Sequence, residues 1–199
     1  ISKPVCCFHV TNSLRQWISP LLALSTNSPF YAGKYTHFKS ARTMQFGVFP
    51  RTNIPPYFES FGHYEKIVAD YLKIDSISKS RQIWWKLRPH MDFGTIEFRM
   101  LDAQRSLTRT RMFIALAQAL VYQGTEDYKN NTLSEVFSSE FLADSLWKAS
   151  RFDFTSKIID VSTGDKIGVE LCHIEGDNPG GCELNVQPGQ TWLTMEKIQ

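Results

Sequence analysis

Hydrophobic and polar residues alternate along two short stretches near the middle of the chain, residues 83–88 and 95–101. Such alternation is the pattern of a β-strand with one buried face, because successive side chains of a strand point to opposite sides. The segment between the two stretches contains Pro89 and Gly94, which are typical of a loop. The pattern therefore predicts a β-hairpin with one apolar face and one polar face.

The polar face of this predicted hairpin carries four charged side chains. We assume a register in which Arg88 lies opposite Thr95. Lys86 then lies opposite Glu97, and Arg99 shares the same face. Three cations around one carboxylate suit an anionic, metal-bound ligand. Exposed salt bridges on a solvated face, each worth about 0 to 1 kcal/mol, explain the same pattern, so the hairpin alone does not decide between the two interpretations.

Apolar residues spaced by three and four positions predict helices on both sides of the hairpin. The first helix is expected from Cys7 to Leu24, with a kink or an end near Ser19 because Pro20 follows. The others are expected to be a helix capped by Ser60, a helix from Thr108 to a stop at Gly124, and a helix within residues 133–151.

In the remaining segments, apolar residues do not recur at a regular spacing. Residues 25–42 are dense in hydroxyl side chains and turn formers, and they are predicted to form an ordered loop. Residues 46–58 contain three prolines and are predicted to be an irregular connector. A strand-like run is expected within residues 157–167, and residues 176–199 form a turn-rich tail.

Composition limits the class of protein. With 199 residues, of which 42% are hydrophobic, the chain is large enough for one packed domain or part of a larger one. The formal net charge is only +2 and no run of Lys and Arg occurs, so a nucleic-acid partner is not predicted. The early apolar stretch is interrupted by polar residues, so we predict neither a signal peptide nor a membrane span.

The four cysteines are Cys6, Cys7, Cys172 and Cys182, and none forms a C-x-x-C pair. Their spacing does not suit a zinc site, so reduced thiols and a cytoplasmic location are expected. The chain begins at Ile1 inside a periodic apolar pattern. We therefore expect an N-terminal half upstream of it.

Several separated motifs occur in a defined order. They are L-L-A-L-S-T-N-S-P-F-Y-A-G, S-A-R, W-W-K-L-R-P, F-G-T-I-E-F-R-M-L-D, S-L-W-K-A-S-R-F-D and I-I-D-V-S-T-G-D. Together they resemble the carboxylate-amine ligase family, the type 2 glutamate-cysteine ligase-like proteins. The resemblance extends over residues 5–166 and is not found in the tail.

The resemblance implies an α+β fold related to glutamine synthetase, in which a curled antiparallel sheet forms a funnel and helices pack outside it. Residues 1–175 would be the C-terminal part of a single ligase domain. ATP and Mg²⁺ would lie in the funnel, where a carboxylate substrate, expected to be glutamate, is activated as an acyl phosphate and attacked by an amine. The partners implied are small-molecule substrates, with no nucleic acid and no membrane, and a homo-oligomer is compatible with the family.

The resemblance also implies roles for individual residues. Glu97 matches the family's strand glutamate and would be a Mg²⁺ ligand, since hard cations prefer carboxylate oxygens. Arg99 would neutralise the transferring phosphate. Arg88 and Arg42 would bind anionic groups of substrate or nucleotide, with Arg88 grouped among the catalytic residues. Asn27 and Ser28 match a segment that lines the substrate and ATP site, and Arg151 and Asp160 match less closely. Lys86 is also assigned to this site, at a position where it departs from the family pattern.

Two residues depart from the family pattern. Tyr35 occupies a position where relatives commonly have an aspartate, and Lys86 lies where they have the aspartate of W-D-x-R-P. A cation in place of an anion would alter the charge balance around the metal or the choice of substrate. The family's upstream acidic metal ligands and its H-x-H strand would precede Ile1. The alternatives are therefore a degenerate member that binds nucleotide or carboxylate without turnover, and a purely structural or interaction domain.

Overall fold

The described part of the chain is built from six α-helices, two 3-10 turns and three short antiparallel hairpins. This computed structural model describes residues 4–90, 93–132 and 135–152, together with the backbone of residues 182–185 and 194–197. The helices are α1 (Pro4–Leu14), α2 (Ile18–Ser25), α3 (Ala41–Gly47), α4 (Phe61–Lys73), α5 (Leu107–Lys129) and α6 (Ser139–Phe152). The paired strands are β1 (Phe30–Tyr31) with β2 (Lys34–Tyr35), β3 (Leu87–His90) with β4 (Thr95–Phe98), and β5 (Cys182–Asn185) with β6 (Thr194–Lys197).

Two clusters of buried side chains hold these elements together. The larger lies where α1 and α2 pack against the β3–β4 hairpin, α5 and α6, and it includes Val10, Ile18, Leu87, Met100 and Leu116. The smaller joins α1 to α4 and to the segment before β3, and its members are Phe8, Phe58, Tyr64, Ile77, Ile83 and Trp85. Full burial of each large apolar side chain contributes about 1.5–3 kcal/mol, so the two clusters fix the hairpin from its apolar side.

The prediction of a hairpin with two different faces is confirmed. Leu87 and Met100 are fully buried on the apolar side. Arg88, Glu97 and Arg99 are only partly buried on the other side. The core therefore holds one face of the hairpin and leaves Arg88, Glu97 and Arg99 partly accessible on the other, whereas Lys86, predicted on the same charged face, is buried.

The assumed register of this hairpin is wrong by two residues. Arg88 pairs with Glu97, so β3 continues through Pro89 and leaves residues 91–94 between the strands. Pro89 has no N–H group, and it is tolerated because it pairs with Ile96 at a position of the antiparallel ladder that requires no donor. A shift of two residues keeps every side chain on its predicted face.

The first predicted helix is interrupted earlier than the expected break near Ser19. A 3-10 turn at Arg15–Trp17 separates α1 from α2, and α2 then runs through Pro20 to Ser25. A proline ring clashes with the carbonyl group four residues earlier, which here belongs to Gln16. The distortion therefore falls in the 3-10 turn, and Pro20 itself lies in the first turn of α2, where its missing N–H group has no partner to lose.

The predicted helix stop at Gly124 is wrong, because α5 continues to Lys129. A β-carbon at Gly124 would lie 2.9 Å from Oγ of Ser13 and 3.3 Å from Cγ1 of Val10, both on α1. Such distances are shorter than a normal van der Waals contact. The glycine therefore serves the close packing of α1 against α5 and does not end the helix.

The other helix boundaries follow from local caps. Ser60 caps α4 as predicted, since its hydroxyl accepts a hydrogen bond from the backbone N–H of His63 at 3.1 Å. Ser40 caps α3 in the same way, so a helix occupies the start of the predicted connector over residues 46–58. Ser138 caps α6, which therefore begins later than residue 133.

Three predictions concern the loops and the tail. The predicted loop over residues 25–42 contains the β1–β2 hairpin and a parallel bridge between Ser28 and Ser40. The β5–β6 hairpin was not expected from the turn-rich composition of the tail. The strand predicted within residues 157–167, with Asp160, lies outside the described residues.

Each sheet in the described ranges has two strands, so the curled, funnel-shaped sheet and the domain limits at residues 1–175 and 176–199 stay predictions. Within the same ranges, none of the helices is both long and apolar enough to cross a membrane. Cys6 and Cys7 are buried free thiols.

We expect Gly124→Val to destabilise the intact protein by about 1–3 kcal/mol, because a branched side chain overpacks the contact between α1 and α5. Urea denaturation measures this change. Gly62→Val is the matched control, since a β-carbon at Gly62 would meet only Oγ of Ser60, at 3.8 Å. We expect this control to change the free energy of unfolding by less than about 0.5 kcal/mol. Equal effects of the two substitutions would contradict the packing role of Gly124.

Candidate functional site

The charged face of the β3–β4 hairpin is organised around Glu97. Nη2 of Arg88 donates a hydrogen bond to Oε2 of Glu97, and Nη1 of Arg99 donates to Oε1 at 2.7 Å. Arg88 is further held by the backbone carbonyls of Arg81 and Ile83, at 2.7 and 3.0 Å. The two guanidinium groups are therefore fixed on either side of one carboxylate, in the charge-assisted geometry that arginine favours.

A second carboxylate, that of Asp102, lies just beyond β4 and is almost completely buried, with 1% of its side chain exposed. Oδ2 accepts hydrogen bonds from the backbone N–H of Asn27 at 2.9 Å and from the hydroxyl of Ser28 at 2.7 Å. Oδ1 accepts from the hydroxyl of Ser40 at 3.1 Å and lies 3.5 Å from Nη1 of Arg42. One carboxylate therefore joins both ends of the loop over residues 25–42 to the end of the hairpin.

Arg42 connects the two carboxylate clusters. Its guanidinium donates hydrogen bonds to the backbone carbonyls of Leu101 and Arg99, each at 3.2 Å, in addition to its contact with Asp102. Its side chain is 47% exposed. Arg42 therefore lies over the end of β4 with one side on the protein and the other toward solvent.

Lys86 lies beneath these groups and is only 3% exposed. Its backbone is fixed by a hydrogen bond from its N–H to the carbonyl of Asn53 at 2.9 Å and by one from the N–H of Arg99 to its own carbonyl at 2.7 Å. No residue in the described ranges forms a hydrogen bond or ion pair with its ammonium group. Burial, followed by repulsion from Arg42, lowers the pKa of Lys86 to about 8 despite attraction from Asp102.

The outer part of the loop is held by the end of α6. Nη1 of Arg151 donates a hydrogen bond to the carbonyl of His37, and the guanidinium lies 5.2 Å from the centre of the Phe38 ring. The carbonyl of Ser150 accepts hydrogen bonds from the backbone N–H groups of Lys39 and Ser40, at 2.8 and 3.0 Å. In this structure Arg151 therefore supports the loop from the side of α6.

The predicted site residues separate into three groups. The hairpin and α3 bring together Arg42, Lys86, Arg88, Glu97 and Arg99. Asn27 and Ser28 lie at the edge of this cluster and bond to the protein itself, through Asp102 and the carbonyl of Ala103. Arg151 contacts the far side of the loop, and Asp160 lies outside the described residues.

Asp102 and Ser40 were not predicted as part of the site. Asp102 closes the motif F-G-T-I-E-F-R-M-L-D, and the loop that it binds is rich in hydroxyl groups. A buried carboxylate at the end of a strand requires hydrogen-bond donors. The residue type and position of Asp102 could therefore have indicated a partner in the hydroxyl-rich loop. The sequence does not predict which donors bind Asp102, because these donors lie 60 to 75 residues away in the chain.

A metal ion would find one suitable ligand in this part of the molecule. Among residues whose structure is described, no group of three or more His, Cys, Asp or Glu side chains could hold a metal ion. Glu97 offers a carboxylate, although both of its oxygens already accept hydrogen bonds from arginines. Mg²⁺ is usually held by one or two carboxylates together with phosphates and water, so Glu97 fits as a single ligand and not as a complete site.

The charge of the cluster favours an anion. Arg42, Lys86, Arg88 and Arg99 contribute four positive charges, whereas Glu97 and Asp102 contribute two negative charges. Two positive charges are therefore left in excess on one small surface. Arginine binds carboxylate and phosphate groups in bidentate fashion, so this surface is suited to either anion.

The model of the glutamate-cysteine ligase family 2 matches residues 7–176. The chain belongs to this family. The residues that bind Glu97 and Asp102 in the described structure all lie within the matched range.

Curated relatives in this family carry the provisional name glutamate–cysteine ligase 2. The protein from Herpetosiphon aurantiacus is 34% identical over 161 residues, which are 81% of this chain and 42% of the relative. The protein from Roseiflexus castenholzii is 39% identical over 152 residues, or 76% of this chain and 40% of the relative. The protein from Chloroflexus aggregans is 38% identical over 149 residues, or 74% and 38%. The chain thus spans about two fifths of the length of these relatives.

We expect Asp102→Asn to lower the free energy of unfolding by about 2–4 kcal/mol, because an amide replaces one acceptor oxygen by a donor and leaves buried donors unpaired. Urea denaturation measures the effect. The matched control is Asp70→Asn, since Asp70 is 61% exposed and forms a surface ion pair with Lys66 at 2.7 Å. The control should cost about 0–1 kcal/mol. A cost for Asp102→Asn no larger than that of the control would show that the buried hydrogen bonds do not stabilise the loop.

We expect Lys86→Met to stabilise the protein near pH 7, because burial of the Lys86 side chain disfavours its charged form. The pKa of Lys86 falls from 10.5 to about 8 on folding, so the unfolded chain binds more protons between these values. The stability of the wild type should therefore rise, relative to the variant, by up to about 3 kcal/mol as the pH increases through this window. Urea denaturation from pH 7 to pH 10 compares the two proteins. A difference that stays constant with pH would contradict the lowered pKa.

Proposed function

We propose that the full-length protein is an ATP-dependent carboxylate-amine ligase. It would join a carboxylate, glutamate by the names of its relatives, to an amine through an acyl phosphate. The observation that carries this proposal is the charged hairpin face, on which Arg88 and Arg99 bracket Glu97 beside Arg42 and the buried Lys86. Family membership supplies the reaction class, and the excess of positive charge suits the phosphate and carboxylate groups that such a reaction brings together.

The arginines are proposed to bind and orient anions during phosphoryl transfer. The transferring phosphoryl group carries charge on three oxygens, and catalysis of its transfer depends on positioning and on electrostatic stabilisation. Arg99 is anchored by Glu97 and lies 5.7 Å from the centre of the Phe46 ring, so its guanidinium is held in place before a substrate arrives. Arg88 has carbonyl partners on one side and Glu97 on the other. Such fixed cations stabilise charge without reorganisation.

Glu97 is proposed to have two roles. It orients both arginines, and it supplies one carboxylate ligand to Mg²⁺, which when bound would neutralise phosphate charge. The other ligands are proposed to come from phosphate oxygens, water and parts of the protein beyond the described residues. Arg42 is proposed to bind substrate or nucleotide anions, with Asn27 and Ser28 lining the site. Their hydrogen bonds to Asp102 and to the carbonyl of Ala103 support a role for the backbone of this loop.

The test is ADP release by the full-length protein with ATP, Mg²⁺, glutamate and a panel of amines. We expect Arg99→Ala to lower kcat by about 10²- to 10³-fold, which is the usual cost of removing one group that stabilises a transition state. Glu97→Gln should lower kcat and raise the Mg²⁺ concentration required. The control is Arg111→Ala, because Arg111 is an exposed arginine on α5. If both site variants release ADP at the rate of the wild type, the assignment of this face to catalysis is wrong.

A second function, binding of nucleotide or carboxylate without turnover, is favoured by two observations. Both oxygens of Glu97 are already held by arginines, and a buried cation, Lys86, lies two residues before Arg88 on the same strand face. Positive charge at these positions opposes metal binding. Calorimetry that detects ATP binding, together with no ADP release across the amine panel, would support this function over the ligase.

A further inference from the structure

A cavity lies beside α1, between the end of α5 and the segment that leads into α6. It contains about 570 Å³ of empty space, part of which is open to solvent. Its α1 side is formed by the polar residues His9, Asn12 and Ser13, whereas Val10 and Leu14 of the same helix belong to the core cluster that also holds β3. The described residues that line the cavity include none from the charged face of the hairpin. The cavity is therefore a separate place that a small molecule can reach.

Arg15 lines this cavity, although the residue is only 3% exposed. Its Nε donates a hydrogen bond to the carbonyl of Pro55 at 3.0 Å, and its Nη2 donates to the hydroxyl of Ser139 at 3.3 Å. Both acceptors are uncharged, and Arg15 forms no ion pair with a carboxylate in the described ranges. Burial lowers the pKa of Arg15, and attraction from Tyr57 opposes this effect. The guanidinium is therefore hydrogen-bonded, but its charge is not neutralised.

Two carboxylates line the same cavity, those of Asp127 on α5 and of Glu135 before α6. Oδ1 of Asp127 accepts a hydrogen bond from Nε2 of Gln123 at 2.8 Å, and Glu135 is exposed. Within the described ranges, neither carboxylate forms an ion pair with Arg15. The cavity therefore has a buried positive charge and two more accessible negative charges on its walls, and these charges do not contact one another.

This arrangement of charge selects among ligands. A phosphate group would be repelled by Asp127 and Glu135, and a simple amine would leave the charge of Arg15 uncompensated. A molecule that carries both a carboxylate and an ammonium group matches both kinds of wall. The carboxylate suits the guanidinium because arginine binds carboxylates with charge-assisted hydrogen bonds. The cavity therefore differs in its preference from the charged face, where positive charge is in excess.

We propose that this cavity binds a free α-amino acid, whose carboxylate pairs with Arg15 and whose ammonium group faces Asp127 and Glu135. The ring of His9 lies 4.8 Å from that of Tyr128, and both residues line the cavity. These two rings offer an apolar surface to the side chain of the ligand. The proposed function does not enter this inference, because the charged face takes no part in it.

The first experiment identifies the ligand by calorimetric titration of the full-length protein near pH 7 without ATP. The probes are a panel of common L-amino acids. The amino acid that binds most tightly is then compared with its α-hydroxy acid, which lacks the ammonium group, and with its decarboxylated amine. We expect each analogue to bind at least about tenfold more weakly, because one charged end is lost. If no amino acid binds, or if both analogues bind as tightly as the amino acid, the proposal is overturned.

The second experiment locates the bound amino acid with variants. We expect Arg15→Gln, which keeps an amide donor for Pro55, to weaken binding by about 10- to 100-fold. Asp127→Asn combined with Glu135→Gln should weaken it by about 3- to 10-fold, since these positions are more accessible to solvent. The double variant decides the outcome if Arg15→Gln does not fold. Glu126→Gln is the matched control, because Glu126 precedes Asp127 on α5, pairs with Lys129 at 2.7 Å and does not line the cavity.

Binding in this cavity is separable from binding of an amino-acid substrate at the charged face. Arg99→Ala should leave the affinity for the amino acid unchanged within about twofold, because Arg99 does not line the cavity. An affinity that falls in Arg99→Ala and is retained in the cavity variants would place the ligand on the charged face and overturn the proposal. Equal effects of Glu126→Gln and of the double variant would also overturn it. ADP release remains the separate test of the ligase.

Discussion

Asp102 is a buried carboxylate on which the arrangement of the charged surface depends. The loop over residues 25–42 has few large apolar side chains in the core, so burial alone does not fix its position. Four groups of the loop and of α3 instead converge on one carboxylate at the end of the hairpin. Because a buried carboxylate without donors is costly, the loop and the hairpin keep each other in place. Arg42 reaches the charged face through this connection.

The hairpin itself divides stability and chemistry between its two faces. Leu87 and Met100 anchor it in the core, and the opposite side holds Glu97 between two arginines. The guanidinium groups are oriented by protein contacts, so an incoming anion would not have to order them. Side chains that are already oriented before a ligand binds lose less conformational entropy on binding. A site on strands is therefore better preorganised than a site on loops.

The sequence predicted what depends on local patterns and missed what depends on distant partners. Alternation along the hairpin placed Leu87 and Glu97 on the correct faces, and Ser60 was identified as a cap by its residue type. The register failed because a strand was assumed to end before Pro89, whereas the ladder needs no donor there. Gly124 was interpreted as a stop because its contact with α1 is invisible in a local pattern. The same reason hid Asp102 as the partner of the loop.

Lys86 shows why stability and function oppose each other in this surface. Burial of the side chain, together with repulsion from Arg42 and Arg99, lowers the pKa of Lys86 more than attraction from Asp102 raises it, and this costs free energy of folding. A methionine of similar length would remove that cost. A residue that destabilises the free protein is useful where a ligand supplies the missing charge, since the free energy lost on folding is recovered on binding. The charged face is therefore better complemented by an anion than by the protein alone, and Lys86 is the residue at which this imbalance is concentrated.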